Sequence, residues 1–230
     1  MEVIPVLDLK GRTVVRAHKG ERDLYRPIET PLSMTSDPVD IARALLSIHP
    51  FGTLYIADLD AIEGRGENHA VLERLRATFP SVTLWVDNGI SDVRCAATWL
   101  AAGWGHLVVG SETQTDTALI RHFSDDARVA LSLDFRGPRF QGPPELMSEP
   151  ACWPRQVIVM TLARIGSSTG PDLERLSAIQ MAAPGRLVYA AGGVRGVADL
   201  AALKQRGIAG ALVATCLHDG RLTGADIAGL

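Results

Sequence analysis

Eight short apolar runs recur along the 230-residue chain, and they constrain its fold more than any other feature. They lack the alternation of a half-solvated strand, as is typical of parallel strands covered on both faces. Most are followed by a polar or glycine-rich turn and then by a stretch with helical spacing, which indicates βα units. The predicted strands are EVIPVL, TLYIAD, VTLWVD, HLVV, VALSL, QVIVM, RLVYA and GALVA, and the clearest predicted helices span 38–48, 70–78, 92–102, 115–122, 173–182 and 197–206.

The length of the chain fits this pattern. A (β/α)8 TIM barrel usually occupies about 200–250 residues as one domain. We therefore predict an α/β fold consisting of a single barrel over residues 1–230. Because aromatic residues make up only 5% of the chain, we expect the barrel interior to be built from Ala, Val, Ile and Leu rather than from large rings.

An internal repeat divides the predicted barrel. The segment NGIS at 88–91 has a counterpart in GGVR at 192–195, and VVGS at 108–111 has one in LVAT at 212–215. Both pairs are 104 residues apart. This constant offset predicts two related half-barrels, which would span about 1–125 and 126–230.

Two long connections interrupt the regular pattern. Residues 12–36 follow the first strand and include VVRAH, which resembles a short strand, while the proline-rich 137–155 follows the fifth and has barely room for a helix. Long loops in a compact domain usually bind or cover a ligand, so we expect both in the active site. Insertions tolerated at the surface are the alternative.

Charge and motif content narrow the classes of function. The net charge is −3 and the Lys and Arg residues are scattered, which gives no basic surface for nucleic acid or for a membrane. The three cysteines lack CxxC spacing and no signal-peptide pattern opens the chain, so we expect a cytoplasmic protein. The expected partner is a small molecule. A monomer and a small homo-oligomer both remain open.

Metal and cofactor motifs are missing from the sequence. The six histidines show no ligand spacing, and neither GxSxG nor a GxGxxG that opens a helix after a strand is present. We therefore expect no metal and no cofactor.

Carboxylates end several of the predicted strands. Catalytic groups of (β/α)8 barrels lie at the carboxyl ends of the strands. Asp8 and Asp134 end the first and fifth strands and are counterparts in the repeat, 126 residues apart, so we predict that they face each other across the barrel mouth. There a low dielectric and neighbouring charge can separate two pKa values into an acid and a base. Turn caps, or ion pairs with Arg12, Arg16 or Arg136, are the alternative.

Glycines follow the third, fourth and seventh strands and suggest an anion site. Backbone N–H groups exposed at such turns bind phosphate in many barrels. The repeat at a fixed offset favours this interpretation over simple turn geometry. The residues concerned are Gly89, Gly110 with Ser111, Gly192 with Gly193, and Ala214 with Thr215.

Together these motifs resemble the phosphoribosylformimino-5-aminoimidazole carboxamide ribotide isomerase family of histidine biosynthesis, which includes a related cyclase. Arg16 and the form DFRG are closer to the isomerase. The segments that carry the resemblance are IPVLDLKGRTVVRA at 4–17, ADLDAIEGRGENHAVLERL at 57–75, NGIS at 88–91, VVGSE at 108–112, SLDFRG at 132–137, MTLARIGS at 160–167 and AAGGV at 190–194.

The resemblance implies an Amadori-type, aldose-ketose isomerisation of a phosphorylated sugar-like metabolite without a cofactor. A carboxylic acid would open the ribose ring to a Schiff base, and a carboxylate would remove the C2 proton. Asp8 would be the base, Asp134 the acid, and Thr161 would support an intermediate. Arg16 and Gly20 join the predicted phosphate site, and the remaining candidates for substrate contact are Asp58, Asp87, Arg136 and Arg164.

The chain also departs from the family pattern on loops that would hold the substrate. Asp87-Asn88-Gly89 replaces three glycines, Ala214-Thr215 replaces Gly-Arg, and the fifth loop lacks Gly-Trp, for which Trp153 is a candidate substitute. Two further hypotheses therefore stand beside the histidine-pathway isomerase. One is a divergent paralogue acting on a smaller phosphorylated substrate, for example in the biosynthesis of a one-carbon carrier cofactor. The other is a non-catalytic binding barrel.

Overall fold

Eight parallel strands close into a barrel, which confirms the predicted (β/α)8 fold. The structure, a computed structural model, describes residues 1–167 and 169–230. Going round the barrel, the strands are β1 (Glu2–Lys10), β3 (Thr53–Asp58), β4 (Thr83–Asp87), β5 (His106–Gly110), β6 (Val129–Arg136), β8 (Gln156–Thr161), β9 (Leu187–Ala191) and β10 (Gly210–Val213). Pairing of β10 with β1, which places Glu2 opposite Gly210, closes the circle.

Helices cover the outside of the barrel. The predicted helices 38–48 and 173–182 have those same bounds in the structure, the helix predicted at 70–78 begins one residue earlier at His69, and the other three lie within their predicted regions. One is much shorter than predicted, because the Asp116 carboxylate accepts a hydrogen bond from the Ala118 amide at 2.8 Å and the helix begins only there. The helices are α1 (Pro38–Ile48), α2 (Leu59–Ile62), α3 (His69–Thr78), α4 (Val93–Ala101), α5 (Ala118–His122), α6 (Pro144–Ser148), α7 (Leu173–Ala182), α8 (Val197–Gln205), α9 (Thr215–His218) and α10 (Gly224–Ala228).

The hydrophobic core has two layers, one between the sheet and the helices and one inside the barrel. The inner layer contains Tyr55, Trp85 and Tyr189, so the expectation of an interior without large rings was wrong. Trp85 and Tyr189 meet edge to face with their ring centroids 5.0 Å apart. Small residues leave space for these rings, since a Cβ on Gly210 would lie only 2.7 Å from the Tyr189 ring. A few large rings can thus replace several aliphatic side chains in a barrel layer.

A hairpin follows the first strand of each half. Strand β2 (Thr13–Val15) folds back on β1, and β7 (Arg139–Gln141) folds back on β6. Their registers correspond, because Asp8 lies opposite Val15 and Asp134 lies opposite Gln141. The two long connections therefore begin in the same way, directly above the two aspartates. Within the described ranges, no helix is long and apolar enough to cross a membrane.

Candidate active site at the carboxyl ends of the strands

A pocket opens at the carboxyl ends of the barrel strands, under the connection that follows β2. Carboxylates and glycine turns line it from opposite halves of the barrel. Asp8, Asp87 and Glu112 contribute from the first half, and Gly192 with Gly193 contribute from the second. The predicted base Asp8 and the predicted anion turn at Gly192 and Gly193 therefore border one cavity.

Asp8 faces this pocket from strand β1. Removal from bulk water raises the pKa of its carboxyl to about 7, although the nearby positive charge of Arg22 acts in the opposite direction. No residue in the described parts of the chain donates a hydrogen bond to its carboxylate. At neutral pH the group is close to half ionised, and its oxygens are available to a bound molecule.

Asp134 is held from several sides and lies behind the pocket wall. It is 4% exposed, and its carboxylate accepts hydrogen bonds from the Ser132 hydroxyl at 2.8 Å and from the Glu112 amide at 3.1 Å. The Ser111 hydroxyl lies 3.1 Å from the same carboxylate and 2.7 Å from the Gln141 carbonyl, and its single proton can serve one of them. Burial and then the negative charge of Glu112 raise the pKa of Asp134 to about 7, against these donors.

Asp87 lies between Asp134 and the cavity. It ends β4, is 7% exposed and lines the pocket. Its Oδ1 accepts from the Gly89 amide at 3.2 Å, and its Oδ2 lies 3.5 Å from the Tyr55 hydroxyl. Burial, followed by the charge of Asp134, raises its pKa to about 8. The sequence offered this residue as a candidate for substrate contact and as a departure from the family pattern, and gave it no part in the acid-base pair.

Gly110 allows these two carboxylates to approach each other. A Cβ at this position would lie 3.0 Å from Asp87 Oδ2 and 3.5 Å from Asp134 Oδ2. The charges of Asp87, Asp134 and Asp8 all act on the buried Tyr55 hydroxyl and raise its pKa, after the larger effect of burial. The three strand-end aspartates therefore converge around one tyrosine, although Asp134 is set back from the pocket that the other two line.

An ion pair spans the mouth on the side of the first half. Arg22, in the 3₁₀ turn Arg22–Leu24, pairs with Glu112, which follows β5. Sequence reasoning missed both residues, because they are 90 positions apart and Arg22 belongs to a segment without periodicity. Glu112 does occur in the VVGSE segment, which was the only available signal.

The turns of the second half face the pocket directly. Gly192 and Gly193 have φ values of +100° and +88°, and both line the cavity together with Ala214 and Thr215. A Cβ on Gly193 would lie 2.3 Å from the Gly170 carbonyl oxygen, so a side chain cannot be accommodated there.

Arg16 and Gly20 also line the pocket, as predicted substrate contacts should. Arg16 additionally borders a second hollow together with His18 and Arg26. Its guanidinium lies 3.3 Å from Asp219 and donates to the Glu29 carbonyl at 2.9 Å.

Several other candidates do not line the pocket. Asp58 accepts hydrogen bonds from the amide and side chain of Asn68, at 2.8 and 2.7 Å, and so stabilises the local turn. Arg164 donates to the carbonyls of Gly170 and Pro171, at 2.9 and 3.0 Å. The remaining candidates outside the pocket lining are Gly89, Gly110, Ser111, Arg136 and the buried Thr161.

Trp153 does not replace the missing Gly-Trp of the fifth loop. It is fully buried in the outer core, where its indole N–H donates to the Leu146 carbonyl at 2.8 Å. No cluster of three or more His, Cys, Asp or Glu residues suitable for a metal ion occurs in residues 1–167 and 169–230.

The closed parallel barrel, with ionisable groups and glycine turns around a pocket at the carboxyl ends of its strands, defines the class: a (β/α)8 barrel with a site at its usual face. Within that class, the chain belongs to the family described as "Histidine biosynthesis protein", whose model matches residues 2–223. This confirms the resemblance seen in the sequence.

Similar proteins cover the chain almost completely. A 1-(5-phosphoribosyl)-5-((5-phosphoribosylamino)methylideneamino)imidazole-4-carboxamide isomerase of Thermus thermophilus is 31% identical over 238 residues, with 96% of each chain covered. The protein of the same name from Lactiplantibacillus plantarum is 26% identical, with 99% of this chain and 98% of that one covered. An uncharacterised protein of Methanocaldococcus jannaschii is 28% identical over 228 residues, with 96% and 95% covered.

Proposed function

We propose that this protein is an isomerase that performs acid-base, Amadori-type aldose-ketose chemistry on a phosphorylated sugar-like metabolite. The observation that carries the proposal is the Asp8 carboxyl, which faces the pocket without a protein hydrogen-bond donor and has a pKa of about 7. The names of the relatives from Thermus thermophilus and Lactiplantibacillus plantarum support the same type of reaction.

The proposed base is Asp8. In its ionised form it would accept the C2 proton of the opened aminoaldose, and proton transfer of this kind is most effective when the pKa of the base is near the working pH. Its pKa of about 7 meets that condition at neutral pH.

The proposed general acid is Asp134, as the resemblance implies, acting together with Asp87, which lines the pocket in front of it. Both carboxyls are buried, and the charge of Asp134 further raises the proton affinity of Asp87, so at neutral pH they hold a proton that an isolated aspartate would have lost. The pKa values of about 7 and about 8 fit this role. The proton would go to the ring oxygen as the ribose opens, and loss of the C2 proton to Asp8 would give the enolamine that tautomerises to the ketone.

The proposed phosphate site is in the second half of the barrel. Gly192, Gly193 and Thr215 line the pocket there, and Arg16 supplies positive charge at its edge. Backbone N–H groups at glycine turns after the last strands are a frequent phosphate site in this fold. A role for Thr161 would be indirect, since it is 4% exposed behind Gly192.

A divergent paralogue with a smaller phosphorylated substrate is the second candidate. The observation that favours it is the carboxylate of Asp87, which lines the first-half end of the pocket. A second phosphate bound at that end would need a positive or neutral environment, and Asp87 would repel it.

Turnover of the histidine-pathway ribotide by purified protein distinguishes these candidates. Wild type is compared with Asp8→Asn and Asp134→Asn, and Asp125→Asn serves as an exposed control outside the site. If the histidine reaction is the function, wild type and the control turn over and the two site variants lose activity. No turnover by wild type at high enzyme concentration would exclude the histidine reaction and leave the smaller substrate.

A further inference from the structure

The two halves of the barrel carry matching sets of hydrogen-bond donors at their glycine turns, but only one set is free. In the first half the Gly89 amide donates to Asp87 at 3.2 Å, and the Glu112 amide donates to Asp134 at 3.1 Å. The Ser111 hydroxyl lies between Asp134 and the Gln141 carbonyl. The protein's own carboxylates therefore occupy the positions that an anionic ligand would take.

The counterparts in the second half, 104 residues later, are Gly193, Thr215 and Cys216. Gly193 and Thr215 line the pocket. Within the ranges 1–167 and 169–230, no carboxylate accepts a hydrogen bond from any of the three. One substitution explains why the Gly193 amide meets no carboxylate, because Ala191 stands in the place of Asp87. Cys216 in the place of Glu112 removes a further negative charge from this end of the pocket.

The electrostatic environment at the two ends of the pocket differs accordingly. At the first-half end, the pocket lining contains Asp8, Asp87 and Glu112, and the charge of Glu112 is matched by Arg22. Asp87 is buried, and only 7% of the residue's surface is exposed to solvent. Its Oδ2 has one protein donor, the Tyr55 hydroxyl at the long distance of 3.5 Å. Two carboxyls, Asp8 and Asp87, thus remain for a ligand that donates hydrogen bonds.

We propose that Asp87 determines the specificity of this pocket: the substrate is a monophosphate whose phosphate binds at Gly193 and Thr215 and whose other end is a protonated amine that donates to Asp87 and Asp8. The inference rests on the proposed phosphate site and adds the chemical class of the opposite end. A second phosphate is excluded there because its oxygens would meet carboxylates and find the turn donors already engaged. An amine suits the proposed reaction: the ammonium gives one proton to ionised Asp87, its freed lone pair opens the ring to the Schiff base, and Asp87 passes that proton to the ring oxygen.

The test uses binding rather than turnover, so it does not depend on knowing the substrate. The probes are three series of matched chain length: ω-aminoalkyl phosphates, ω-hydroxyalkyl phosphates and α,ω-alkane bisphosphates. Dissociation constants are measured by calorimetry at pH 8.5, where Asp87 with its pKa of about 8 is largely ionised. For the best-fitting length we expect the amine to bind at least about 10-fold more tightly than the alcohol, which is the usual value of one charge-assisted hydrogen bond. The bisphosphate should bind no more tightly than the alcohol.

Two variants sharpen the result. Asp87→Asn keeps the shape and removes the charge, so the preference for the amine over the alcohol should fall to about 3-fold or less. Asp87→Gly frees the Gly89 amide, and the bisphosphate should then gain affinity relative to the alcohol. Far-ultraviolet circular dichroism confirms that both variants are folded, and Asp125→Asn is the exposed control, which should retain the wild-type order.

Each possible result bears on a different one of these proposals. Equal affinities of wild type for amine and alcohol, or a wild-type preference for the bisphosphate, would overturn this inference and leave the proposed isomerase unaffected. Failure of all three series to bind would overturn the phosphate site of the proposed function and this inference with it. Absence of ribotide turnover with an intact amine preference would overturn only the histidine reaction.

Discussion

Replacing Asp87 by Asn should stabilise the protein, and the gain should grow with pH. The fold raises the pKa of Asp87 from 3.8 to about 8. Below pH 3.8 the group is protonated in both the folded and the unfolded chain. As the pH rises further, the unfolded chain ionises first, so the unfolding free energy falls until the folded group ionises near pH 8. An asparagine has no such ionisation.

The size of the effect follows from the shift. A difference of about 4 pH units corresponds to roughly 5–6 kcal/mol at pH values above both pKa values. The amide has one carbonyl oxygen instead of two, so one of the donors from Gly89 and Tyr55 loses its acceptor, at a cost of about 1–3 kcal/mol. We therefore expect a net gain of about 3 kcal/mol at pH 8.5, or roughly 6–12 °C in Tm for a chain of this size.

Urea unfolding followed by circular dichroism between pH 4 and pH 9 measures this difference. The unfolding free energy of Asp87→Asn minus that of wild type should be negative, by roughly 1–2 kcal/mol, at about pH 4, and should rise to its positive maximum near pH 8.5. The exposed Asp125→Asn should stay within about 0.5 kcal/mol of wild type throughout. A difference for Asp87→Asn that does not change with pH, or that becomes negative at pH 8.5, would refute the assignment of a buried, destabilised carboxylate.

Three further predictions concern the site. Asp8→Asn should lower kcat by roughly 10²–10⁴-fold on the true substrate without loss of fold, as measured by steady-state kinetics and circular dichroism; unchanged kcat would rule out Asp8 as the base. Arg22→Gln should raise the pKa of Asp8 above about 7, because a nearby positive charge is lost and Glu112 is left unpaired. Carbon-13 titration of the aspartate carboxyls measures this pKa, and a value lower than in wild type would contradict the stabilisation of the Asp8 carboxylate by Arg22. Gly193→Ala should cost about 2–4 kcal/mol in urea unfolding, because its φ is +88° and the new Cβ would lie 2.3 Å from the Gly170 oxygen; a cost under about 1 kcal/mol would contradict the close approach.

Much of the fold could be predicted from local sequence. Helix α1 follows a capping Asp37 whose carboxylate accepts from the amides of Val39 and Asp40, and its predicted bounds were those of the structure. Strand β3 is buried at all six positions and has no alternation of polar and apolar residues, as is typical of a parallel strand covered on both faces. The inner layer was predicted less well, because composition counts aromatic residues without showing where Tyr55 and Trp85 point.

The candidate site shows the same division. Strand ends and the repeat located Asp8, Asp134, Gly192 and Gly193 at the correct face of the barrel. Whether a strand-end carboxylate faces the cavity or the turn below it depends on which hydrogen-bond donors the fold brings beside it. Asp58 illustrates this, since it meets the description of a site residue but its oxygens are taken by Asn68.

The sequence by itself determined the order of strands and helices, the recurrence of similar segments 104 residues apart and the presence of aspartates at strand ends, because these are properties of neighbouring residues and of fixed spacing. Only the tertiary structure decided that Asp87 stands in front of Asp134 and that Arg22 pairs with Glu112. Those relations arise when distant strand ends are brought into one poorly solvated volume. There each charge changes the proton affinity of the others, and no single segment of the chain contains that information.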